Sequence, residues 1–258
     1  SIQNLISGLP SFGELCAQLK SVDVAKLNQA LLVLKSYLAN SLEPLWLTIY
    51  QQNQCTDYNF NDAGKRALKN TALAYLLNSQ NAPQYLSLVE QQYNTADNMT
   101  DKLAALIAIN DSNDNLRAEL LAQFNHEYQN YPLVMDKWFT LQSQSLRPDT
   151  LEQVKQLTTH PQYDDTNPNK LYSLVRAFTA NSSHFNSADG YQFIAAETLR
   201  VDKFNSGVSA RIAHGFSILT SLAPEYQQLA KPVLSEILAA EKLSNDVYEL
   251  ISKTISQL

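Results

Sequence analysis

The chain has 258 residues, 45% of them hydrophobic and 17% charged, with a formal net charge of −6 and only six glycines and nine prolines. That length can bury a substantial core, and so few turn formers argue against a many-stranded β protein, which needs a turn signal about every 8 to 12 residues. The acidic balance, without any Lys/Arg cluster, argues against a nucleic-acid partner, and no run approaches the roughly 18 uninterrupted apolar residues of a membrane span.

The opening segment, "SIQNLISGLP", has neither a basic leader nor a cleavage site, and it lacks an initiator Met. It reads as the start of a fragment whose parent extends upstream. Cys16 and Cys55 show no metal-ligand spacing, which suits reduced thiols in a cytoplasmic protein.

Val24, Leu27, Leu31, Leu34 and Leu38 recur at three- and four-residue steps, the pattern of one buried helix stripe, with Ser21 or Asp23 as the N-cap. Pro44 sits early in the next segment, where a first-turn proline is tolerated. Further helical segments are predicted at 62–78, 82–93, 98–109, 112–129, 131–145, 149–158, 168–180, 187–201, 205–221 and 224–243. Within 168–180, Asn167 suits an N-cap, Pro168 suits the first helical position, and Leu171, Leu174, Val175 and Phe178 form the inward stripe. Ser244 caps a last helix with Val247, Leu250, Ile251, Thr254, Ile255 and Leu258 on one face.

Many helices joined by short loops predict an all-α fold: an α-α superhelix of stacked antiparallel helical hairpins, armadillo- or HEAT-like. No fixed-period consensus accompanies it. No linker rich in Pro, Gly or Ser divides the chain, so residues 1–258 are expected to form a single domain, with two lobes meeting near 159–167.

Motifs that could carry chemistry each lack a necessary part. His126-Glu127 comes within one side chain of the zinc-peptidase pattern H-E-x-x-H, but Asn130 stands where the second histidine must be, and His160, His184 and His214 have no partner at i+3 or i+4. Asp111, Asn113 and Asn115 alternate as in a calcium loop, yet Leu116 and Ala122 occupy its Gly and Glu positions. Asp164 and Asp165 would need another acid one turn on to hold Mg²⁺, where Pro168 stands. No metal and no catalytic residue is therefore expected in this chain. Gly190-Tyr191 marks the start of a helix. Arg211 stands among small residues on an otherwise apolar helix, either as a surface residue or as a guanidinium that recognises a carboxylate.

Read in order, "DNMTDKLAAL" (97–106), "LVMDKWFTLQ" (133–142), "NPNKLYSLVRAF" (167–178), "HFNSADGYQF" (184–193), "NSGVSAR" (205–211) and "LSNDVYELISK" (243–253) resemble the C-terminal helical domain of the bacterial aminopeptidase N family. These are alanyl aminopeptidases, zinc metallopeptidases of the gluzincin type, and the resemblance runs over essentially the whole chain. It implies a parent zinc aminopeptidase that removes N-terminal Ala and other apolar or basic residues from peptides. In such a parent the H-E-x-x-H motif and the zinc belong to an upstream catalytic domain that this sequence does not include, so the isolated chain is expected to be inactive. The helical domain would cap the active site, form the substrate chamber and limit access, with peptides and the catalytic domain as its partners.

The resemblance also places Arg211 as a substrate-binding residue, at a family arginine that faces the substrate's carboxyl-terminal part. Tyr172 stands where relatives carry a second arginine, and Gly207 stands where they carry a polar amide, which implies a less basic chamber. The alternative reading is a free-standing helical repeat scaffold that binds a partner protein through a concave face. An independent all-helical enzyme finds no coherent set of acid, base or metal ligands.

Overall fold

The computed structural model describes residues 9–55 and 59–258. The opening segment 1–10 lies outside them except for Leu9 and Pro10. Among the described residues there are fifteen α-helices, no strand, and one isolated parallel bridge between Val22 and Leu222. In chain order the helices are α1 (Phe12–Cys16), α2 (Val24–Ser41), α3 (Glu43–Gln52), α4 (Ala63–Leu76), α5 (Leu86–Thr95), α6 (Met99–Ile109), α7 (Asn115–Tyr128) and α8 (Pro132–Ser143). There follow α9 (Thr150–Leu157), α10 (Pro168–Leu171), α11 (Ser182–Phe185), α12 (Ala188–Asp202), α13 (Ser206–Ala213), α14 (Pro224–Leu238) and α15 (Asn245–Ser256).

Local chemistry explains many of the boundaries. Asn98, Ser187, Asn205 and Ser244 each accept a hydrogen bond from the backbone N–H three residues on, the N-cap arrangement, and prolines occupy the first turns of α3, α8, α10 and α14. Asp23, rather than Ser21, caps α2 by accepting from the Lys26 N–H at 3.0 Å. The predicted segment 205–221 resolves into α13 and a 3₁₀ run over His214–Ser221, and the segment 224–243 ends at Leu238. Helices α1 and α11 were not anticipated, because five and four residues are too few to show a period.

The chain divides into two compact units, one built on Gln29–Glu127 and one combining Ser11–Asn28 with Tyr128–Leu258. The boundary is therefore not near 159–167. That loop lies inside the second unit: Tyr163 is buried with its ring 5.5 Å from Phe139, and His160 lies 5.1 Å from the Trp138 ring, where burial lowers its pKa. The early segment joins the second unit through backbone bonds from the Val22 N–H to Ser221 O and from the Ala223 N–H to Val22 O, both 2.8 Å, and through the Ala25 N–H, which donates to the Tyr226 hydroxyl.

In the first unit Trp46 stacks on Tyr75 at 4.3 Å over a core that includes Leu73, Leu76, Leu106 and Phe124. A buried ion pair crosses it, with Lys69 Nζ 2.6 Å from Asp101 Oδ2. The α2 stripe departs from expectation: Leu31 and Leu38 are half-buried, and Leu34 is exposed alongside Leu32, Val33 and Tyr37. The apolar residues of α2 surround much of its circumference, so no single stripe carries them all.

The second unit contains the segment that positions the candidate site. Leu171, Leu174, Val175 and Phe178 are fully buried, as the stripe predicted, and Phe185, Tyr191 and Phe216 pack as a ring cluster with centroids 5.2–5.9 Å apart. Gly190 is required where α12 passes α11. A Cβ there would lie 2.3 Å from His184 O and 2.5 Å from Phe185 O, backbone atoms that no rotamer change can move. Gly190→Ala is expected to destabilise the protein by about 3 kcal/mol, the upper end of ordinary overpacking, as measured by urea unfolding. Gly207→Ala is the control. The nearest atom to a Cβ there is Asn205 Oδ1 at 3.8 Å, so a helical alanine should be neutral or stabilise by about 0.5–1 kcal/mol.

Candidate functional site

The run from Asn167 begins as an ordinary helix: Asn167 accepts from the Asn169 N–H at 2.9 Å, with Pro168 in the first turn. Over Tyr172–Arg176 it widens into a π-turn. Side chains of α8 and its C-cap residue take up carbonyl groups along this stretch. The Thr140 hydroxyl donates to Ser173 O at 2.9 Å, and the Gln144 amide donates to Ala177 O. Side chains inserted into the backbone ladder are a recognised cause of such irregular turns. Lys170 anchors the start by donating to Asp136 Oδ1 at 2.6 Å and to Pro132 O at 2.7 Å.

Helix α13 faces this turn. Asn205 caps it, Val208, Ser209, Ile212 and Ala213 are buried, and the Ser209 hydroxyl donates to Thr198 O at 2.7 Å. With that face packed, Arg211 is directed outward and is exposed. Its Nη1 donates to the Tyr172 hydroxyl at 2.6 Å. Arg176, also exposed, brings its guanidinium carbon to 5.7 Å from the Tyr172 ring centroid, the same separation as Arg211. Among the described residues neither arginine forms an ion pair.

A hollow of about 380 Å³ lies here, lined by Arg176, Ala210, Arg211, His214 and Leu250. A larger hollow of about 680 Å³ shares Ala210, His214 and Leu250 with it, and Asp246, Glu249 and Lys253 line its farther side. Chemically, the smaller hollow offers guanidinium donors and no acid, an arrangement suited to a carboxylate.

The structure thus brings Arg211 together with Tyr172, the position where a second arginine was expected to be missing, and adds Arg176, which the sequence reading did not single out. A second guanidinium, that of Arg176, reaches the same ring from one turn farther along. The available signal was an arginine four residues after Tyr172, off the apolar stripe. Gly207 stands in open space beside its own cap, with no geometric need for glycine.

The other sequence candidates have structural employment. Glu127 receives Lys102 Nζ at 2.7 Å and the Gln123 amide at 2.8 Å; burial raises its pKa, but these bonds outweigh that and hold it lowered. Asp114 accepts from the Leu116 N–H at the start of α7, where a calcium loop would continue. Asp164 accepts from the Thr166 hydroxyl and N–H in a tight turn, which lowers its pKa, and Asp165 pairs with Arg200 at 3.0 Å. Among the described residues no group of three His, Cys, Asp or Glu side chains is placed to hold a metal ion, and no helix is long and apolar enough to cross a membrane.

Comparison with known proteins gives this geometry a family. Residues 2–256 match the family described as "Domain of unknown function (DUF3458_C) ARM repeats". The chain is 34% identical over 257 residues to aminopeptidase N of Caulobacter vibrioides, covering 97% of this chain and 30% of that protein. It is 32% identical over 259 residues to aminopeptidase N of Haemophilus influenzae, covering 98% and 30%, and 31% identical over 253 residues to that of Escherichia coli, covering 96% and 29%. Among solved structures, that of Legionella pneumophila aminopeptidase A in complex with aspartic acid is similar, with a TM-score of 0.87 and 27% identity over 97% of this chain and 31% of that one. The chain therefore spans under a third of the length of its relatives. Its stacked helices are ARM repeats, and by a match over nearly every residue the chain belongs to the DUF3458_C family, as a homologue of the aminopeptidase N proteins.

Proposed function

We propose that residues 1–258 are the C-terminal helical domain of a zinc-dependent, cytoplasmic aminopeptidase that removes N-terminal residues, Ala and other apolar or basic ones, from peptides. The observation that carries this reading is the match of 96–98% of the chain to three aminopeptidase N proteins, in each of which it accounts for only 29–30% of the length. The same proportion weighs against a free-standing scaffold. On this reading the metal and the general base belong to the upstream catalytic domain, and this domain alone is expected to turn over no substrate; among the described residues no group of three His, Cys, Asp or Glu side chains is placed to hold zinc.

What the domain contributes is the chamber: it covers the active site, limits access to peptides, and receives the carboxyl end of the substrate at Arg211. An exposed guanidinium bonded to a neutral phenol, without a carboxylate partner, supports that role. The apolar surface of α2, with Leu32, Val33, Leu34 and Tyr37 exposed, supports contact with the upstream part of the parent.

The test is Arg211→Ala in the full enzyme. Losing one solvated, charge-assisted contact should raise KM for tripeptides about five- to tenfold, with kcat much less affected. An amino-acid anilide, which has no carboxylate to offer, should be cleaved as before. Equal losses on peptide and anilide would overturn the assignment and leave Arg211 as a structural residue.

A further inference from the structure

Two guanidinium groups converge on one phenol in the second unit. The Arg176 and Arg211 guanidinium carbons each stand 5.7 Å from the Tyr172 ring centroid, and neither side chain forms an ion pair among the described residues. Both side chains line one hollow that no acid lines, and a carboxylate is the usual partner of such a guanidinium. The Tyr172 hydroxyl beside them already accepts from Arg211 Nη1. The carboxylates of Asp246 and Glu249 line the adjoining hollow and not this one. Among the described residues the pair therefore has no carboxylate within ion-pair distance, and the hollow lined by Arg176 and Arg211 has room for one.

The backbone supplies an independent observation. Tyr172 and Arg176 are the first and last residues of the π-turn, and turns of this kind persist mostly where a functional site repays the loss of regular hydrogen bonding. Thr140 holds the Ser173 carbonyl within it and Gln144 holds the Ala177 carbonyl just after it, so Arg176 projects from a supported surface rather than from a loose loop.

We infer that Arg176 is a second specificity-determining residue, which with Arg211 clamps the terminal carboxylate of a peptide substrate and makes the enzyme select free-acid peptides over those with blocked carboxyl ends. This rests on the chamber-facing reading of Arg211. The division of labour follows from the geometry. Tyr172 fixes one N–H of Arg211 and leaves the rest of its donor fork free, while Arg176 supplies the second charge.

The experiment compares a tripeptide free acid with its C-terminal amide, in the full-length enzyme and in Arg176→Ala, Arg176→Lys and Arg211→Ala variants. For Arg176→Ala, KM for the acid is expected to rise about fivefold, the scale of one partly solvated ionic contact, with kcat and all amide kinetics within about twofold. Arg176→Lys should recover part of the loss, because it keeps the charge without the planar fork. If Arg211→Ala lowers the acid-to-amide preference but Arg176→Ala does not, the inference about Arg176 fails and the role of Arg211 stands. If neither variant changes the preference, both fail. A loss shared equally by acid and amide also overturns the inference, since a merely structural arginine would behave that way.

Discussion

Asp101→Ala should destabilise the first unit by about 3–5 kcal/mol, the cost of removing one partner from a buried ion pair. Lys69 and Asp101 are only 4% and 5% exposed, and their charged atoms lie 2.6 Å apart. Asp101 also accepts from the Asn70 amide at 2.8 Å and lies in the first turn of α6, where a negative charge favours the helix dipole. Removing the carboxylate strands the Lys69 ammonium in a site with little access to water, and the penalty is mainly the desolvation of that stranded charge. The measurement is the urea midpoint of purified protein. The paired replacement Lys69→Met with Asp101→Leu should recover most of the loss, because it removes both charges and retains bulk. A single-variant cost below about 1 kcal/mol would place the pair in a far wetter setting than its burial implies.

Phe178→Ala should cost a similar amount, about 3–5 kcal/mol, and should also weaken peptide binding. Phe178 is fully buried two residues beyond Arg176, with its ring edge-on to Phe193 at 5.7 Å. It belongs to the stripe that holds the π-turn against the second unit, so the cavity left by alanine loosens the base on which Tyr172 and Arg176 stand. Phe178→Leu, which keeps most of the volume, should cost less than about 1.5 kcal/mol and leave the acid-to-amide preference intact. Thermal or urea unfolding reads the first effect and tripeptide KM in the full enzyme reads the second. A stability loss in Phe178→Ala with wild-type KM would show that the turn is held from α8 alone.

These two variants separate what is local from what is not. The cap and stripe of the 167–178 segment were legible because they depend on neighbours in sequence: Asn167 accepts from the Asn169 N–H, Pro168 needs no donor, and four apolar residues recur at helical steps. The last helix was legible for the same reason, with Ser244 accepting from Val247 and with Val247, Ile251 and Thr254 buried. The partners of Glu127 and Asp165, Lys102 and Arg200, lie 25 and 35 residues away and carried no signal in the sequence.

The sequence by itself determined the helical class, most helix boundaries and the inward face of the short amphipathic helices, because capping and periodicity act over three or four residues. The tertiary structure decided the rest. The α2 stripe stayed partly open because a helix that is apolar on several sides cannot bury all of them against one neighbour. The π-turn formed at Tyr172–Arg176 where Thr140 and Gln144, more than thirty residues earlier, meet the carbonyls of Ser173 and Ala177. Gly190 became indispensable only because α11 brings two backbone carbonyls against it. The meeting of Arg211 with Tyr172 joins positions 39 residues apart, a separation at which no local periodicity operates and only packing selects which side chains meet.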